Sequence, residues 1–350
     1  MTAFITAAAF LATIGFIVLI HEGGHFLVAK LTKMWVHELA LGFGPALLRL
    51  RLRETKYSLR LFPIGGYVRV AGDETASEED ARVPPDRLFF NKPPTTRMAM
   101  VLAGPVANLL AAVVIIVLVV GAIGIPYLEV DKLSEGSPSA GLLQAGDRIV
   151  SAEGKRVYFL EQLQRIVRER GQAGQPVTVE VQRNGQRLSF QIRPKFEEGR
   201  YIIGVYFTGS SMTQQVPFPT SLGLGLLWVK NVFLGIYLGF RGLFTGAIPP
   251  GEALTGPVGL ASIIGESLAQ GLLPFFTLVA ALSLMIGVVN LIPFPGLDGS
   301  RIAFLSYELV RGRPIPRERE GLVHYIGIVI LLGLMLLITY NDILKLIRGH

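Results

Sequence analysis

Apolar runs separated by shorter polar stretches dominate the chain, and four of them are long enough to cross a membrane. They cover residues 3–31, 98–125, 272–293 and 322–340. At about 1.5 Å per residue, each reaches the ~30 Å of a bilayer's hydrocarbon layer, so four transmembrane helices are predicted. A fifth apolar run, 222–246, carries Lys230 near its middle and Arg241 close to its end. A lysine inside a span is costly, and this run is expected to lie in the interface or re-enter rather than cross.

Two regions follow a strand-like period instead. "YSLRLFPIGGYVRVAG" (57–72) alternates around Pro63 and Gly65-Gly66 and predicts a β-hairpin beside the membrane, followed by an acidic loop, "DETASEEDARVPPD". In "PVTVEVQRNGQRLSFQIRP" the alternation runs on both sides of Asn184-Gly185, a two-residue hairpin signal. Upstream of it, Leu160, Leu163, Ile166 and Val167 recur at helical spacing, and a short strand is expected at Arg148–Ala152. Residues 126–213 therefore read as a small α+β domain with the make-up of a peptide-binding module or of a simple spacer.

The organisation that follows is a first span (1–32), a hairpin region with its acidic loop (33–97) and a second span (98–125). The α+β domain (126–213) comes next, then an interfacial helix and linker (214–262). A third span (263–300), a polar loop (301–320) and a fourth span with its tail (321–345) complete it. Composition agrees with a polytopic α-helical membrane protein: 51% of the 350 residues are hydrophobic and 17% charged, with a mean hydropathy of +0.49. Soluble domains carry about a quarter charged residues.

The net charge of +7 changes the picture only through its placement. Lys30, Lys33, Arg49, Arg51, Arg53, Lys56 and Arg60 follow the first span, and Arg301, Arg311, Arg313, Arg317 and Arg319 follow the third. Basic loops stay in the cytoplasm, so both termini and the 126–213 domain are expected outside. Nucleic acid is not an expected partner; the lipid bilayer is.

The candidate chemistry lies in "FIVLIHEGGHFLVAKL" (16–31). His21 and His25 are one helical turn apart, so both imidazoles can reach one metal, with Glu22 available as general base toward a water. Ionisable groups inside a span are expensive and imply function. Cysteine is absent, so any metal must be held by His, Asp or Glu. His37, His324 and His350 are third ligands by type only. Asp298 is the better candidate: it lies in "NLIPFPGLDGSRI" at the cytoplasmic end of the third span, at the depth of the histidines. Pro293, Pro295, Gly296 and Gly299 break the helix there. Gly23 and Gly24 lack bulk beside the metal, which leaves room for another backbone to approach.

These motifs, with "GFGP" (42–45), "AGPVANLL" (103–110) and "LTGPVGLASI" (254–263), make the chain resemble the site-2 proteases. These are intramembrane zinc metalloproteases, and the likeness is to the bacterial regulators of sigma-E-type stress signalling. The resemblance implies one zinc per chain on His21, His25 and Asp298, with Glu22 activating the water. It implies substrate contacts at Asn290, Pro293 and Pro295, and around Gly65-Gly66, where the hairpin would hold a substrate extended. It also implies an extracytoplasmic PDZ-like domain, single here where enteric relatives carry two. A bacterial inner-membrane location and transmembrane substrates pre-trimmed by a site-1-type protease complete the expectation. Two rivals stay open at this point: a non-enzymatic PDZ-containing membrane adaptor, and a proton or ion carrier using the histidines and glutamate.

Overall fold

A computed structural model describes residues 3–73, 78–197, 199–248 and 255–348. Two compact units emerge, Met1–Leu118 with Leu222–His350, and Val119–Ser221.

The first unit is helical apart from one β-ribbon. Helix α1 (Ala3–Leu31) buries Thr13, Ile17, His21, His25 and Ala29. Every fourth residue is thus turned inward, and the two histidines continue a stripe begun by Thr13 and Ile17 and closed by Ala29. Helix α2 (Pro94–Ile123) packs against it where both chains are small: a Cβ on Gly24 would lie 2.3 Å from the Ala103 carbonyl oxygen. Gly24 therefore makes room for the chain's own second helix, whereas Gly23 faces open space. Helix α6 (Leu272–Asn290) closes on α2 in the same way, with Gly287 against the Pro105 carbonyl and Ser283 Oγ donating to Asn108 O at 3.0 Å. Small residues allow the backbones to approach, and dispersion contacts then hold helices that lipid would otherwise separate.

The ribbon is longer than 57–72 and turns elsewhere. Strands β1 (Val36–Leu52) and β2 (Thr55–Val70) join at Arg53-Glu54, while Gly65-Gly66 form a bend within β2, with Gly65 at φ +91°. Both strands bend, so residues 38–41 lie between 66–69 on one side and 56–59 on the other, and 46–52 pair outside 55–60. Four runs result in the order 66–70, 36–43, 55–62, 46–52. The final edges, 66–70 and 46–52, pair with no further strand among the described residues.

Helix α4 (Phe218–Thr245) covers the run expected in the interface, and α5 (Pro257–Gln270) follows. The N-terminus of α5 is capped by Asp342 of the last helix, which accepts from Gly259 N at 2.8 Å. Helix α7 (Asp298–Arg311) and α8 (Arg317–Arg348) occupy most of what read as a polar loop, 301–320. Among the described residues, five helices are long and apolar enough to cross a membrane, one more than the four expected; the addition is Phe218–Leu243, the least apolar of the five.

The second unit is an antiparallel sheet with one packed helix. Strands β3 (Ile125–Leu133), β4 (Arg148–Ala152), β6 (Val177–Arg183), β7 (Gln186–Ile192) and β10 (Val205–Gln214) run in the order β10-β3-β4-β6-β7, and β5 (Lys155–Arg156) pairs with β4. A small hairpin, β8 (Lys195–Glu197) with β9 (Arg200–Ile202), stands apart from this sheet. Asn184 and Gly185 both take positive φ at the β6–β7 turn, as the right-handed strand twist demands of a two-residue loop. Helix α3 (Leu160–Gln172) adds Leu163 and Val167 to an aliphatic core that includes Val130, Ile149, Val179 and Ile192.

Candidate metal centre and active site

Two helices deliver three ligand atoms to a common point, two from α1 and one from α7 (Asp298–Arg311). Nε2 of His21 lies 3.0 Å from Oδ2 of Asp298 and 3.2 Å from Nε2 of His25, which is 3.4 Å from the same carboxylate oxygen. Asp298 reaches them because α6 stops at Asn290, the chain turns through Pro293, Pro295 and Gly296 (φ +95°), and α7 starts at Asp298 itself. An acid in the first turn of a helix also suits the positive end of its dipole. Gly299 is required next to it, since a Cβ there would sit 2.2 Å from Ile292 O. One turn further along α7, Arg301 makes a bidentate pair with Asp73 at 2.7 and 2.8 Å, tying this helix to the segment after β2.

The outer contacts decide which ring atoms face inward. Nδ1 of His25 donates to Met100 O at 2.9 Å, so its Nε2 carries the lone pair. Gly104 leaves that ring its space, because a Cβ there would meet Nε2 at 2.2 Å. His21 Nδ1 lies 3.3 Å from the side-chain nitrogen of Asn108, whose Oδ1 is buried and has no hydrogen-bond partner. Turning that amide over places Oδ1 against His21 Nδ1–H. The orphaned oxygen is then satisfied, and Nε2 of His21 also presents a lone pair. Two imidazole lone pairs and a carboxylate so close together repel unless a cation sits among them. Two nitrogens and one oxygen, with no thiolate, suit zinc and leave a fourth position for water or substrate. Among the described residues, this is the one group of three side chains able to hold a metal ion.

The other expected residues are distributed around this point. Glu22 is partly buried, and a Cβ on Gly66 would lie 3.1 Å from its Cγ, so the 66–70 edge of the ribbon runs beside it. Gly65 packs under the Phe43 ring. The Asn290 amide donates to Ile286 O at 2.9 Å, Pro293 lines an apolar cavity with Leu109 and Phe233, and Pro295 abuts Gly327. None of these joins the three-residue group. His37 is engaged with Asp80 instead, His324 is absent from the group, and His350 lies outside the described residues. Asn108 was missed from sequence, although an amide in the middle of an apolar span is itself a signal.

A pair of histidines one turn apart, meeting an aspartate at a broken helix inside a bundle of apolar helices, defines a membrane-embedded metalloprotease. The profile described as Peptidase family M50 matches residues 9–334, and the chain belongs to that family, the site-2 type of protease. It is similar to the zinc metalloprotease RasP of Geobacillus kaustophilus, 29% identical over 96% of this chain and 97% of that one. It is also similar to the regulator of sigma-W protease RasP of Bacillus subtilis, 28% identical over 97% and 99%. Among solved structures, a PDZ domain of an SdrC-like protein from Listeria monocytogenes aligns with 23% of this chain and 87% of its own, at 18% identity and a TM-score of 0.22. The chain is a zinc metalloprotease acting within the membrane, and neither the adaptor nor the carrier reading is favoured.

Proposed function

We propose that His21, His25 and Asp298 hold the zinc and that Glu22 is the general base for hydrolysis of a substrate's transmembrane segment. The observation that carries this reading is the convergence of the three donors, with 277 residues separating His21 from Asp298. When bound, zinc supplies Lewis acidity toward the scissile carbonyl and makes water at the site more acidic. Glu22 accepts the proton of the attacking water and delivers it to the leaving amine. A transmembrane helix hides its amides in internal hydrogen bonds, so the substrate must unwind and find new partners. The unpaired edge 66–70 offers them by strand addition, and the bare Gly66 lets that strand run close to Glu22. Asn290 spends its amide nitrogen on Ile286 O and keeps Oδ1 to accept from a substrate N–H. Pro293 and Pro295 keep the approach to Asp298 free of helix.

In this reading both termini and the 126–213 domain are extracytoplasmic, and α4 makes no net crossing. Supporting it, α2 and α6 run antiparallel, since Asn108 meets Ser283 and Pro105 meets Gly287. The end of α2 and the start of α6 then share one membrane face, and any descent by α4 is reversed before α6 begins. We assign the second unit to a PDZ-like module that admits only substrates trimmed by a site-1-type protease. The substrates would be a membrane-bound anti-sigma factor or remnant signal peptides in a bacterial inner membrane, a reading in keeping with a relative named a regulator of sigma-W protease.

The test is Glu22→Gln in vesicles carrying a reporter span. Zinc should stay at one per chain while cleavage falls by about 10²–10⁴-fold. Undiminished cleavage removes Glu22 from the mechanism, and a zinc-free active wild type removes the ligand assignment.

A further inference from the structure

Two cavities between α1 and the ribbon share the ring of Tyr57 and differ sharply in chemistry. The first has a volume of about 430 Å³ and is walled mainly by leucines, including Leu19 of α1 and Leu39, Leu41, Leu48 and Leu59 of the ribbon. The register explains this. Leu39 and Leu50 stand opposite Tyr57, and Leu41 and Leu48 opposite Leu59, so these side chains share the face turned to α1. The second cavity, about 620 Å³ and within the usual size of a small-ligand site, is lined by Lys30, Arg53, Arg87 and Glu54 together with Phe26 and Thr55. Three cations there face one carboxylate. Glu54 is already committed to Lys30 at 2.7 Å and to Arg87 at 2.8 and 2.9 Å. Arg53 is exposed and has no partner among the described residues, and the same holds for Arg49 and Arg51 on the adjoining outer strand.

We infer that this pair of cavities is a binding site for one anionic phospholipid. The headgroup phosphate sits at Lys30, Arg53 and Arg87, and an acyl chain lies in the leucine groove along α1. Length supports the fit: the 11 residues from Leu19 to Lys30 span about 16 Å of helix, and one leaflet's hydrocarbon is half of ~30 Å. Charge complementarity supports it too, because the polar cavity is cationic even with Glu54 counted. A neutral lipid would leave Arg53 uncompensated beside Lys30 and Arg87. The bound lipid would hold the ribbon, and with it the 66–70 edge, at a fixed depth. The inference rests on α1 crossing the bilayer but on no step of the proteolytic mechanism.

Native mass spectrometry of the full chain in detergent tests it, with dioleoyl phosphatidylglycerol or dioleoyl phosphatidylcholine added. The wild type should retain the anionic lipid preferentially. Lys30→Gln with Arg53→Gln should remove the preference, at about 5-fold per cation. Leu50→Gln with Leu59→Gln should weaken retention of both lipids. Zinc content reports whether each variant is folded. Arg53→Gln alone, which breaks no contact among the described residues, carries the test if the double variant does not fold. Equal retention of the two lipids overturns the inference, as does an unchanged preference in Arg53→Gln. Displacement of the lipid by inorganic phosphate at equal concentration identifies a free-phosphate site instead, and displacement by a substrate-span peptide identifies a substrate groove. Zinc content does not depend on the lipid in any of these cases, so failure here leaves the metalloprotease assignment standing.

Discussion

Two groups of histidine and carboxylate lie in the helical unit, and they are about equally hidden. The His21 and Asp298 side chains are 11% and 20% exposed, against 10% and 14% for His37 and Asp80. Burial therefore does not distinguish them. In the first group, two rings and one carboxylate aim at a single point, and each ring has an outer partner of its own, Met100 O or Asn108. In the second, His37 Nε2 donates to Asp80 Oδ1 at 2.8 Å, and the neighbouring Glu79 is taken by Arg69 and Lys56. There the neighbouring carboxylate, Glu79, is neutralised by cations of the chain itself. A metal centre is recognised by donors left to converge without such a cation, and by the outer contacts that fix their ring atoms.

The largest effect that would break this contrast is expected at Asp298. Asp298→Asn should lose zinc and cleavage altogether, while Asp80→Asn should keep one zinc per chain by elemental analysis. Next comes Gly24→Leu, which drives a side chain into the Ala103 carbonyl and separates α1 from α2. A loss of about 3 kcal/mol in unfolding stability is expected, with zinc loss in step, whereas Gly23→Ala should do neither. Asn108→Ala should weaken zinc binding about 10–100-fold in a chelator competition. Asn108→Asp should recover most of this, because an oxygen again accepts from His21 Nδ1–H; equal loss in both variants would mean a packing role. The smallest effect is expected at His37→Gln, within about 1 kcal/mol of wild-type stability and with zinc affinity unchanged.

A related pH effect belongs to the ribbon. Hydrogen bonds from Arg87, opposed by burial and helped by Lys30, hold the Glu54 carboxyl below the usual carboxylate value of 4.5. A depressed pKa contributes stability that is present above the unfolded value and is lost as pH falls through the folded one. Melting followed from pH 6 downward should therefore show a loss below 4.5 that Glu54→Gln lacks.

The centre was legible because its residues are out of place in sequence. A glutamate, two histidines and an aspartate at the ends of apolar runs have few bland explanations, and their common depth could be estimated from residue counts. The ribbon was half legible. Period-2 alternation marked 57–72, but "GFGP" broke the pattern of 36–52 and disguised a strand that bends at its glycines. Helix α5 was divided between the linker (214–262) and the third span (263–300), because Gly256-Pro257 reads as punctuation, though proline in the first turn of a helix is favourable. The register of the four runs, and the orphaned oxygen of Asn108, are set by contacts across the fold and leave no local trace.

The separation of the metal donors along the chain has a consequence for biogenesis. His21 and His25 leave the ribosome first, and Asp298 follows 277 residues after His21. At about 5–20 residues per second, that interval lasts from roughly a quarter of a minute to nearly a minute. Throughout it, the half-made enzyme holds two of the three donors that could bind a metal, and no complete centre. Hydrolytic competence is thereby postponed until the helices that enclose it have been inserted, which spares the nascent protein and its neighbours in the translocation channel.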